Sequence, residues 1–188
     1  VLEPACGNGN FLAEVLRRRL AMVDRRHKAR TQWEPNALLG LACLYGIELL
    51  WDNVSECRER LFTLFKDHYT ARYGAHAKRE CLAAARYIVG CNILNGDALK
   101  MTTMGDRAIP ARPLVFTQWS LLPGGKFTRR RYEYHDLTQP PPASLSGLFL
   151  SSTARPTDEE GKPVYIPLKV ADRSPVHYLQ LGQCEGDR

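Results

Sequence analysis

Apolar residues recur along this chain with two spacings, one typical of helices and one of strands. From Phe11 to Val23 they recur every three or four positions, which predicts an amphipathic helix. The same spacing predicts a helix from Asp52 that Gly74 ends, and another from Lys78 to Val89. A shorter helix is expected from Asn36 to Cys43, with Pro35 in its first turn.

Short apolar runs predict the strands that alternate with these helices. Residues 1–2 run directly into a glycine turn, residues 44–49 form a second run, and residues 91–99 contain a third strand and its exit. Residues 113–117 are expected to form the fourth strand. Alternation of strands and helices predicts an α/β fold with a mostly parallel sheet flanked by helices. Its ligand should bind at the carboxyl ends of the first three strands.

The composition changes beyond the predicted strands. Residues 140–142 are three prolines, which mark a stiff connection, and residues 151–162 are polar, as in a loop or linker. Short apolar stretches within residues 164–181 predict an edge strand or a docking site for another subunit. We therefore expect a core at residues 1–138, followed by a proline-rich linker and an irregular C-terminal extension at residues 139–188.

The net charge favours a polyanionic partner. The chain has 188 residues, a formal net charge of +6 and a pI near 9.1, and nucleic acid is the natural candidate. Two glycines at 124 and 125 predict a hairpin in which basic residues alternate with aromatic ones. Its phosphate-binding candidates are Lys126, Arg129, Arg130 and Arg131. A hairpin with one solvated basic face is the alternative interpretation.

Other residue patterns argue against several classes of protein. The six cysteines include no Cys-x-x-Cys pair and the histidines lack zinc-finger spacing, so we expect no metal site. No run of about 18 apolar residues suggests a membrane span, and no signal peptide is visible. We therefore expect a cytoplasmic protein whose thiols stay reduced. His177 has no partner arranged by the sequence and is interpreted as a surface residue.

The candidate chemistry begins in the first turn of the chain. Glu3 follows an apolar pair, Gly7 and Gly9 let the backbone approach a ligand closely, and Asn10 is expected to cap the helix. Dinucleotide-binding and P-loop proteins also place glycines after a first strand. However, Leu12 stands where the dinucleotide motif has its third glycine, and no Lys-Ser/Thr pair follows. A nicotinamide dehydrogenase is therefore the least favoured enzyme class.

Residues 3–12 read Glu-Pro-Ala-Cys-Gly-Asn-Gly-Asn-Phe-Leu. They closely resemble the S-adenosylmethionine loop of DNA adenine methyltransferases, usually written Asp/Glu-Pro-Ala-Cys-Gly-x-Gly-x-Phe-Leu. The resemblance implies a class I methyltransferase, Rossmann-like fold and a methylase of the restriction-modification type. It covers residues 1–100 by motifs and residues 115–136 more loosely. Since the chain begins directly on a predicted central strand, we expect an incomplete fold that lacks an amino-terminal part.

The same resemblance implies a role for each cofactor-binding residue. Glu3 and the loop after it would hold the methionine portion of S-adenosylmethionine; the loop residues are Pro4, Ala5, Cys6, Gly7, Asn8 and Gly9. Glu48, at the end of the second strand, would accept hydrogen bonds from both ribose hydroxyls, because a carboxylate offers two acceptor oxygens. Asp97, in a Gly-Asp-Ala segment, would accept a hydrogen bond from the adenine amine. The occurrence of these motifs in the family's order favours this interpretation over isolated turns.

A motif that amino-methylating DNA enzymes carry is absent from this chain. It reads Asn/Asp/Ser-Pro-Pro-Tyr/Phe; its oxygens accept the protons of the target amine, and its ring stacks on a flipped base. Gln118 and Trp119, after the predicted fourth strand, are the catalytic candidates for these two roles. A buried tryptophan below a strand end is the alternative interpretation of Trp119.

The motifs together predict methyl transfer from S-adenosylmethionine to an amino group of DNA, with N6 of adenine as the expected acceptor. The transfer is a direct displacement without a covalent enzyme intermediate. A restriction or specificity subunit is a further expected partner. The alternatives are a non-catalytic or decayed methylase subunit that binds cofactor or DNA without transfer, and a methyltransferase that acts on RNA or protein.

Overall fold

Three parallel strands form the centre of this computed structural model, which describes residues 1–105, 109–138 and 169–184. The sheet has the order β1-β2-β3-β4, and β4 is antiparallel to β3. Its strands are β1 (Leu2–Glu3), β2 (Tyr45–Glu48), β3 (Ile93–Asp97) and β4 (Thr102–Thr103). The predicted mostly parallel sheet is therefore confirmed.

Within the described residues, four long helices flank this sheet. They are α1 (Asn10–Arg26), α2 (Arg30–Ala42), α3 (Trp51–Tyr73) and α4 (Arg79–Asn92). Their apolar faces meet in a common core. Gly74 ends α3 as predicted, with a positive φ of 54°, and a 3-10 turn at Gly74–His76 leads toward α4.

Two predictions about helix starts are wrong. Gly9, not Asn10, is the N-cap of α1, and Asn10 is the first residue of the helix. Pro35 lies in the second turn of α2, since that helix already begins at Arg30. The early start buries Trp33, which stacks on Tyr69 of α3 with ring centroids 5.5 Å apart. This packing outweighs the preference of proline for a first turn.

The segment predicted as a fourth parallel strand belongs to a second, antiparallel sheet. Its strands are β5 (Val115–Leu122), β6 (Lys126–Glu133) and β7 (Lys169–His177), in that order. The predicted hairpin joins β5 to β6, and Gly124 and Gly125 adopt positive φ values of 75° and 70°. The assignment of residues 113–117 to the parallel sheet is thus wrong. Strand propensity does not specify the neighbour with which a strand pairs.

The last described segment joins this core directly. β7 completes the antiparallel sheet as its edge strand, and a 3-10 turn at Tyr178–Gln183 places Tyr178 and Leu181 in the core. Residues 169–184, which the sequence assigned to an irregular extension, are therefore ordered parts of the fold. The prolines at 140–142, the polar residues 151–162 and the apolar run at 164–168 lie outside the described residues. A five-residue helix α5 (Tyr134–Thr138) follows β6.

A buried carboxylate connects three elements of this core. Glu34 of α2 is fully buried, and it accepts hydrogen bonds from the hydroxyls of Tyr69 and Tyr178, both at 2.5 Å. Lys78 Nζ lies 3.4 Å and Arg30 Nε 3.6 Å from its oxygens. These partners compensate the loss of hydration of a buried charge. Glu34 thereby links α2, α3 and the turn after β7.

Candidate cofactor site

Three predicted cofactor-binding residues lie at the carboxyl ends of the three parallel strands. Glu3, Glu48 and Asp97 are the last residues of β1, β2 and β3. Because parallel strands end on the same side, the loops that follow them are neighbours. Glu48 contacts the glycine loop at residues 4–9 directly, through Gly7 N, and Asp97 ends the strand that pairs with β2.

Backbone hydrogen bonds fix the shape of the glycine loop. Cys6 N donates to Ile47 O at 3.0 Å, which continues the pairing of β1 with β2 beyond Glu3. Gly9 N then donates to Cys6 O at 2.9 Å and closes a tight turn. Gly7 and Gly9 both adopt positive φ, 51° and 84°, the region that side chains disfavour. The chain turns sharply from β1 into α1.

The two glycines face different surroundings. A Cβ at Gly7 would meet no atom within 4 Å, so this side of the loop is open. A Cβ at Gly9 would lie 2.6 Å from the sulphur of Cys57, a fully buried residue of α3. Gly9 therefore permits close packing of the loop on α3. Gly7 leaves space on the side where a ligand would lie.

Cys6 is a packing residue of this loop. Its sulphur would lie 2.7 Å from a Cβ at Gly46, so the small residue on β2 makes room for the thiol. A hydrogen bond with Cys57 and burial raise the pKa of the Cys6 thiol. The thiol is thus kept protonated at neutral pH.

The amino terminus of α1 opens toward the same loop. Gly9 has no side chain, so no side-chain hydrogen bond caps the first turn. The first backbone N–H groups of a helix carry partial positive charge and bind carboxylates or phosphates. The residues present thus fit the carboxylate of the methionine portion of S-adenosylmethionine.

Glu48 joins the loop to the end of β2. Its Oε2 accepts from Gly7 N at 3.0 Å, and its Oε1 accepts from Leu50 N at 3.0 Å. A carboxylate has about four acceptor positions, so each oxygen keeps one for a further donor. Glu48 therefore combines a structural role, holding the loop, with the capacity to accept hydrogen bonds from two ribose hydroxyls.

Two residues of α3, Arg60 and Glu56, form hydrogen bonds with Asn8 of the glycine loop. Arg60 Nε donates to Asn8 O at 2.9 Å, and Asn8 Nδ2 donates to Glu56 Oε1 at 3.1 Å. Arg60 and Glu56 form an ion pair at 2.6 Å. Sequence analysis missed Glu56, Arg60 and Cys57, because their helical spacing indicates only that they lie on one side of α3. The partner of that side is set by tertiary packing.

Asp97 closes the turn after β3. Its Oδ1 accepts from Leu99 N at 2.9 Å and from Lys100 N at 3.1 Å, while Lys100 Nζ lies 3.6 Å from Oδ2. The pKa of the Asp97 carboxyl is lowered, chiefly by the backbone N–H of Lys100 and then by that of Leu99. Asp97 therefore stays an ionised acceptor, with its Oδ2 toward the ammonium group of Lys100.

The segment between β2 and α3 supplies apolar surface at this edge. Leu49, Leu50 and Trp51 are all more than half exposed. Asn95 of β3 holds the start of this segment, since its Nδ2 donates to Glu48 O at 3.0 Å and to Leu49 O at 2.8 Å. In the sequence, three consecutive apolar residues follow the acidic end of β2, and this run is the local signal for the exposed apolar segment. They form an apolar wall beside Glu48, suited to a planar base.

The two catalytic candidates lie in the antiparallel sheet and have opposite environments. Trp119 is 6% exposed, and its Nε1 donates to Oδ1 of the buried Asn92 at 2.9 Å. Its ring contacts Tyr87 and Phe127 in edge-on geometry. The prediction that Trp119 stacks on a target base is therefore wrong, because its faces are occupied by the core. Gln118, the residue before Trp119 on β5, is exposed.

The basic hairpin strand divides its predicted phosphate-binding residues between two faces. Lys126 and Arg130 are exposed, and Arg131 is half-buried. Arg129 is 6% exposed and donates to the hydroxyl of Tyr87 at 3.0 Å on the inner face. Arg131, which lies opposite the buried Thr117, is on this inner face as well. The predictions that Arg129 and Arg131 belong to an exposed nucleic-acid surface are therefore wrong, and Lys126 and Arg130 remain. Strand alternation places consecutive residues on opposite faces, so a run of three arginines cannot all point outward.

His177 is half-buried at the end of β7. Its Nδ1 accepts from Leu179 N at 3.4 Å, and its ring lies 4.5 Å from that of Tyr178. The residue therefore helps to start the 3-10 turn that follows. Among the described residues, no group of His, Cys, Asp and Glu side chains is arranged to hold a metal ion.

Comparisons with known proteins give no family and no relative from which a function could be assigned. No protein-family model, no curated protein and no solved structure matches this chain. None of the helices described is both long and apolar enough to cross a membrane.

Proposed function

We propose that this chain binds S-adenosylmethionine and transfers its methyl group to an amino group of DNA, N6 of adenine being the expected acceptor. The observation that carries the proposal is the hydrogen bond from Gly7 N to Glu48 Oε2 at 3.0 Å. It couples the glycine loop to the acid that ends β2. A class I methyltransferase fold is part of this proposal, and the order of β1, β2 and β3 is compatible with it.

Each cofactor portion has a candidate partner in this chain. The open side of Gly7 and the uncapped amino terminus of α1 receive the methionine portion, together with Glu3 at the end of β1. Glu48 receives the ribose. Asp97 receives the adenine amine, and the exposed side chains after β2 cover the ring. When bound, S-adenosylmethionine supplies a methyl group activated by a sulphonium centre.

The reaction needs an acceptor amine aligned with that methyl group. The amine nitrogen forms a bond to the methyl carbon, the carbon–sulphur bond breaks toward sulphur, and the amine loses a proton. The loop and Glu48 contribute to this step by fixing the position of the cofactor. The residue that orients the amine stays unassigned, because Trp119 is buried and Gln118 has no demonstrated partner in the site.

A second function is favoured by the burial of Trp119 and by the absence of the Pro-Pro motif from the sequence. In this alternative the chain is a non-catalytic or decayed methylase subunit that binds cofactor or DNA. A restriction or specificity subunit would then be its partner. A subunit that binds the cofactor requires the same pocket as the methylase and differs from it only in turnover, whereas a subunit that binds only DNA does not require this pocket.

The test is calorimetric titration with S-adenosylmethionine. Wild-type protein is expected to bind, and Glu48→Ala and Asp97→Ala are each expected to weaken binding by about 10- to 100-fold, since each removes a charged hydrogen-bond acceptor. Glu14→Ala and Asp67→Ala are matched controls, because Glu14 and Asp67 are exposed carboxylates on helix surfaces. Unchanged binding by folded Glu48→Ala and Asp97→Ala protein would contradict the proposed pocket.

A second measurement separates transfer from binding alone. Protein is incubated with S-adenosylmethionine carrying a radioactive methyl group and with DNA, RNA or peptide pools. Label in adenine of DNA supports the methylase. Saturable binding without label in any pool selects the non-catalytic alternative, and label in RNA or peptide corrects the substrate class.

A further inference from the structure

The antiparallel sheet has one face packed on the core and one face open to solvent. Trp119 and Phe127 lie on the inner face, which packs on α2 and α4. The register places Gln118 opposite Arg130 and Leu122 opposite Lys126, and all four of these residues are exposed. Ser120 and Thr128, paired between them, add hydroxyl groups. From Gln118 to Leu122 the outer face is therefore a polar surface with two exposed cations, whereas Phe116 at its end belongs to a second buried cluster with Ile47 and Leu114.

Charge is concentrated in this sheet. The strands β5, β6 and β7 together contain six lysine or arginine residues and two acidic ones, a net charge of +4 out of +6 for the chain. Lys126 and Arg130 are the cations of β6 on the outer face, whereas Arg129 and Arg131 lie on the inner face opposite Trp119 and Thr117. On β7, Arg173 is exposed but pairs with Arg129, and Asp172 is the residue opposite Arg130. Cations beside hydroxyl and amide groups are the kinds of side chain that contact the phosphates and sugars of nucleic acids.

A cavity opens at one end of the same surface. It has a volume of about 320 Å³ and is lined by Leu2, Tyr45, Phe116, Thr117, Gln118, Tyr132 and Leu137. Its lining is mainly apolar, and three of the residues are aromatic. Tyr132 is two residues beyond Arg130 on β6, so both side chains lie on the outer face. Gln118 stands at the boundary between the cavity and the basic surface.

Two aromatic rings of this cavity, those of Phe116 and Tyr45, are held in place by contacts within the fold. Phe116 packs edge-on against Tyr45 and Tyr134, with centroids 5.5 and 5.6 Å away. The Tyr45 hydroxyl donates to Thr117 O at 2.8 Å. Pre-arranged rings beside cations are the combination by which proteins bind single-stranded nucleic acids, because bases stack on the rings while cations hold the phosphates.

We infer that the outer face of the antiparallel sheet binds a single strand of DNA, with one unstacked base in the cavity bounded by Tyr132 and Gln118. The inference deepens the proposed function and rests on it for the choice of DNA. The cavity adjoins Leu2 and Tyr45, near the amino ends of β1 and β2, whereas the cofactor residues end those strands. The base held here is therefore a neighbouring base that positions the strand.

The first experiment measures binding of a fluorescent DNA 12-mer by anisotropy, without cofactor. Single-stranded DNA is expected to bind more tightly than the duplex or the RNA of the same sequence. Lys126→Gln and Arg130→Gln should each weaken binding roughly threefold to tenfold and reduce the slope of log affinity against log salt by about 1. Lys66→Gln and Arg26→Gln, which alter exposed cations on α3 and α1, are the matched controls.

The second experiment tests the base in the cavity. Tyr132→Leu is expected to weaken binding of the 12-mer about fivefold or more, because stacking is lost. Tyr132→Leu should change the affinity for a 12-mer that is abasic throughout only slightly. Arg130→Gln should weaken the binding of both oligonucleotides equally. Equal loss with both oligonucleotides would overturn the cavity assignment.

The inference is also overturned if the duplex or the RNA binds more tightly than single-stranded DNA, or if Lys126→Gln and Arg130→Gln behave as their controls do. Because the assay contains no S-adenosylmethionine, its result is separate from the cofactor titration. DNA binding without cofactor binding would support the assignment of this surface and contradict the proposed methylase function. Cofactor binding without DNA binding would overturn this surface and leave the cofactor pocket supported.

Discussion

The sulphur of Cys57 lies where a side chain at Gly9 would have to be placed, 2.6 Å from the Cβ position. Gly9 also has a φ of 84°, which disfavours any residue with a Cβ. We therefore expect Gly9→Ala to lower the free energy of unfolding by about 2 to 4 kcal/mol, from backbone strain and overpacking together. Urea denaturation followed by circular dichroism measures this change.

Gly7→Ala is the matched control, because a Cβ there meets no atom within 4 Å. It should cost only about 1 kcal/mol of stability from its positive φ, yet it should weaken binding of S-adenosylmethionine. A second substitution, Cys57→Ala, should restore part of the stability lost in Gly9→Ala. Equal destabilisation by Gly7→Ala and Gly9→Ala would show that Cys57 does not restrict the loop.

Trp119 is expected to matter for stability and not for the chemistry of transfer. Trp119→Phe removes the indole donor and leaves Asn92 Oδ1 buried without it, which should lower the free energy of unfolding by about 1 to 3 kcal/mol. The neighbouring exposed change Gln118→Ala should stay within about 0.5 kcal/mol of wild type. Chemical denaturation compares the two. A stable Trp119→Phe protein that loses only methyl transfer would restore the catalytic interpretation of Trp119.

Glu34 is expected to be among the residues whose loss destabilises the fold most. Glu34→Leu leaves two tyrosine hydroxyls and the cations Lys78 and Arg30 without their shared carboxylate. It should therefore lower the free energy of unfolding by about 3 to 5 kcal/mol. Glu14→Leu, which removes a carboxylate from exposed ion pairs on α1, should change stability by less than about 0.5 kcal/mol. Similar urea midpoints for both variants would contradict the structural role of Glu34.

Asp97 should titrate below the ordinary aspartate pKa of 3.8 in the cofactor-free protein. Because its pKa is lowered on folding, its hydrogen bonds stabilise the fold above pH 3.8, and that stabilisation is lost as the pH falls through the lowered value. Lys100→Gln should raise the pKa only in part, since the backbone N–H of Lys100 is the largest cause. Carbon-detected NMR titration measures the pKa of Asp97 in the wild-type protein and in the Lys100→Gln variant. An Asp97 pKa at or above 3.8 would exclude the hydrogen-bonded turn.

The parallel part of the fold was predictable because its signals are local. The apolar spacing after Phe11, the strand that ends in Glu48 and the strand that ends in Asp97 all appear in the structure close to their predicted positions. Parallel strands joined by helices must end on the same side. The neighbourhood of the loop, Glu48 and Asp97 therefore follows from element order alone.

The errors concern contacts between distant parts of the chain. Residues 113–117 were expected to form a strand of the parallel sheet, but β5 pairs with β6 through a tight turn and with no parallel strand among the described residues. Trp119 and Arg129 were expected at a surface, but α4 supplies their partners Asn92 and Tyr87. A side chain that suits either an interior or a surface has its environment decided by what packs against it.

The sequence by itself determined the helices, the central strands and the candidate chemistry of the first loop, because glycine positions, acidic strand ends and apolar periods are properties of neighbouring residues. Tertiary structure alone decided that Cys57 confines Gly9, that Glu34 joins three elements, and that Lys126 and Arg130 share an outer face from which Arg129 is excluded. The physical reason is that such relationships arise from packing across long sequence separations. No local pattern encodes which surfaces will meet.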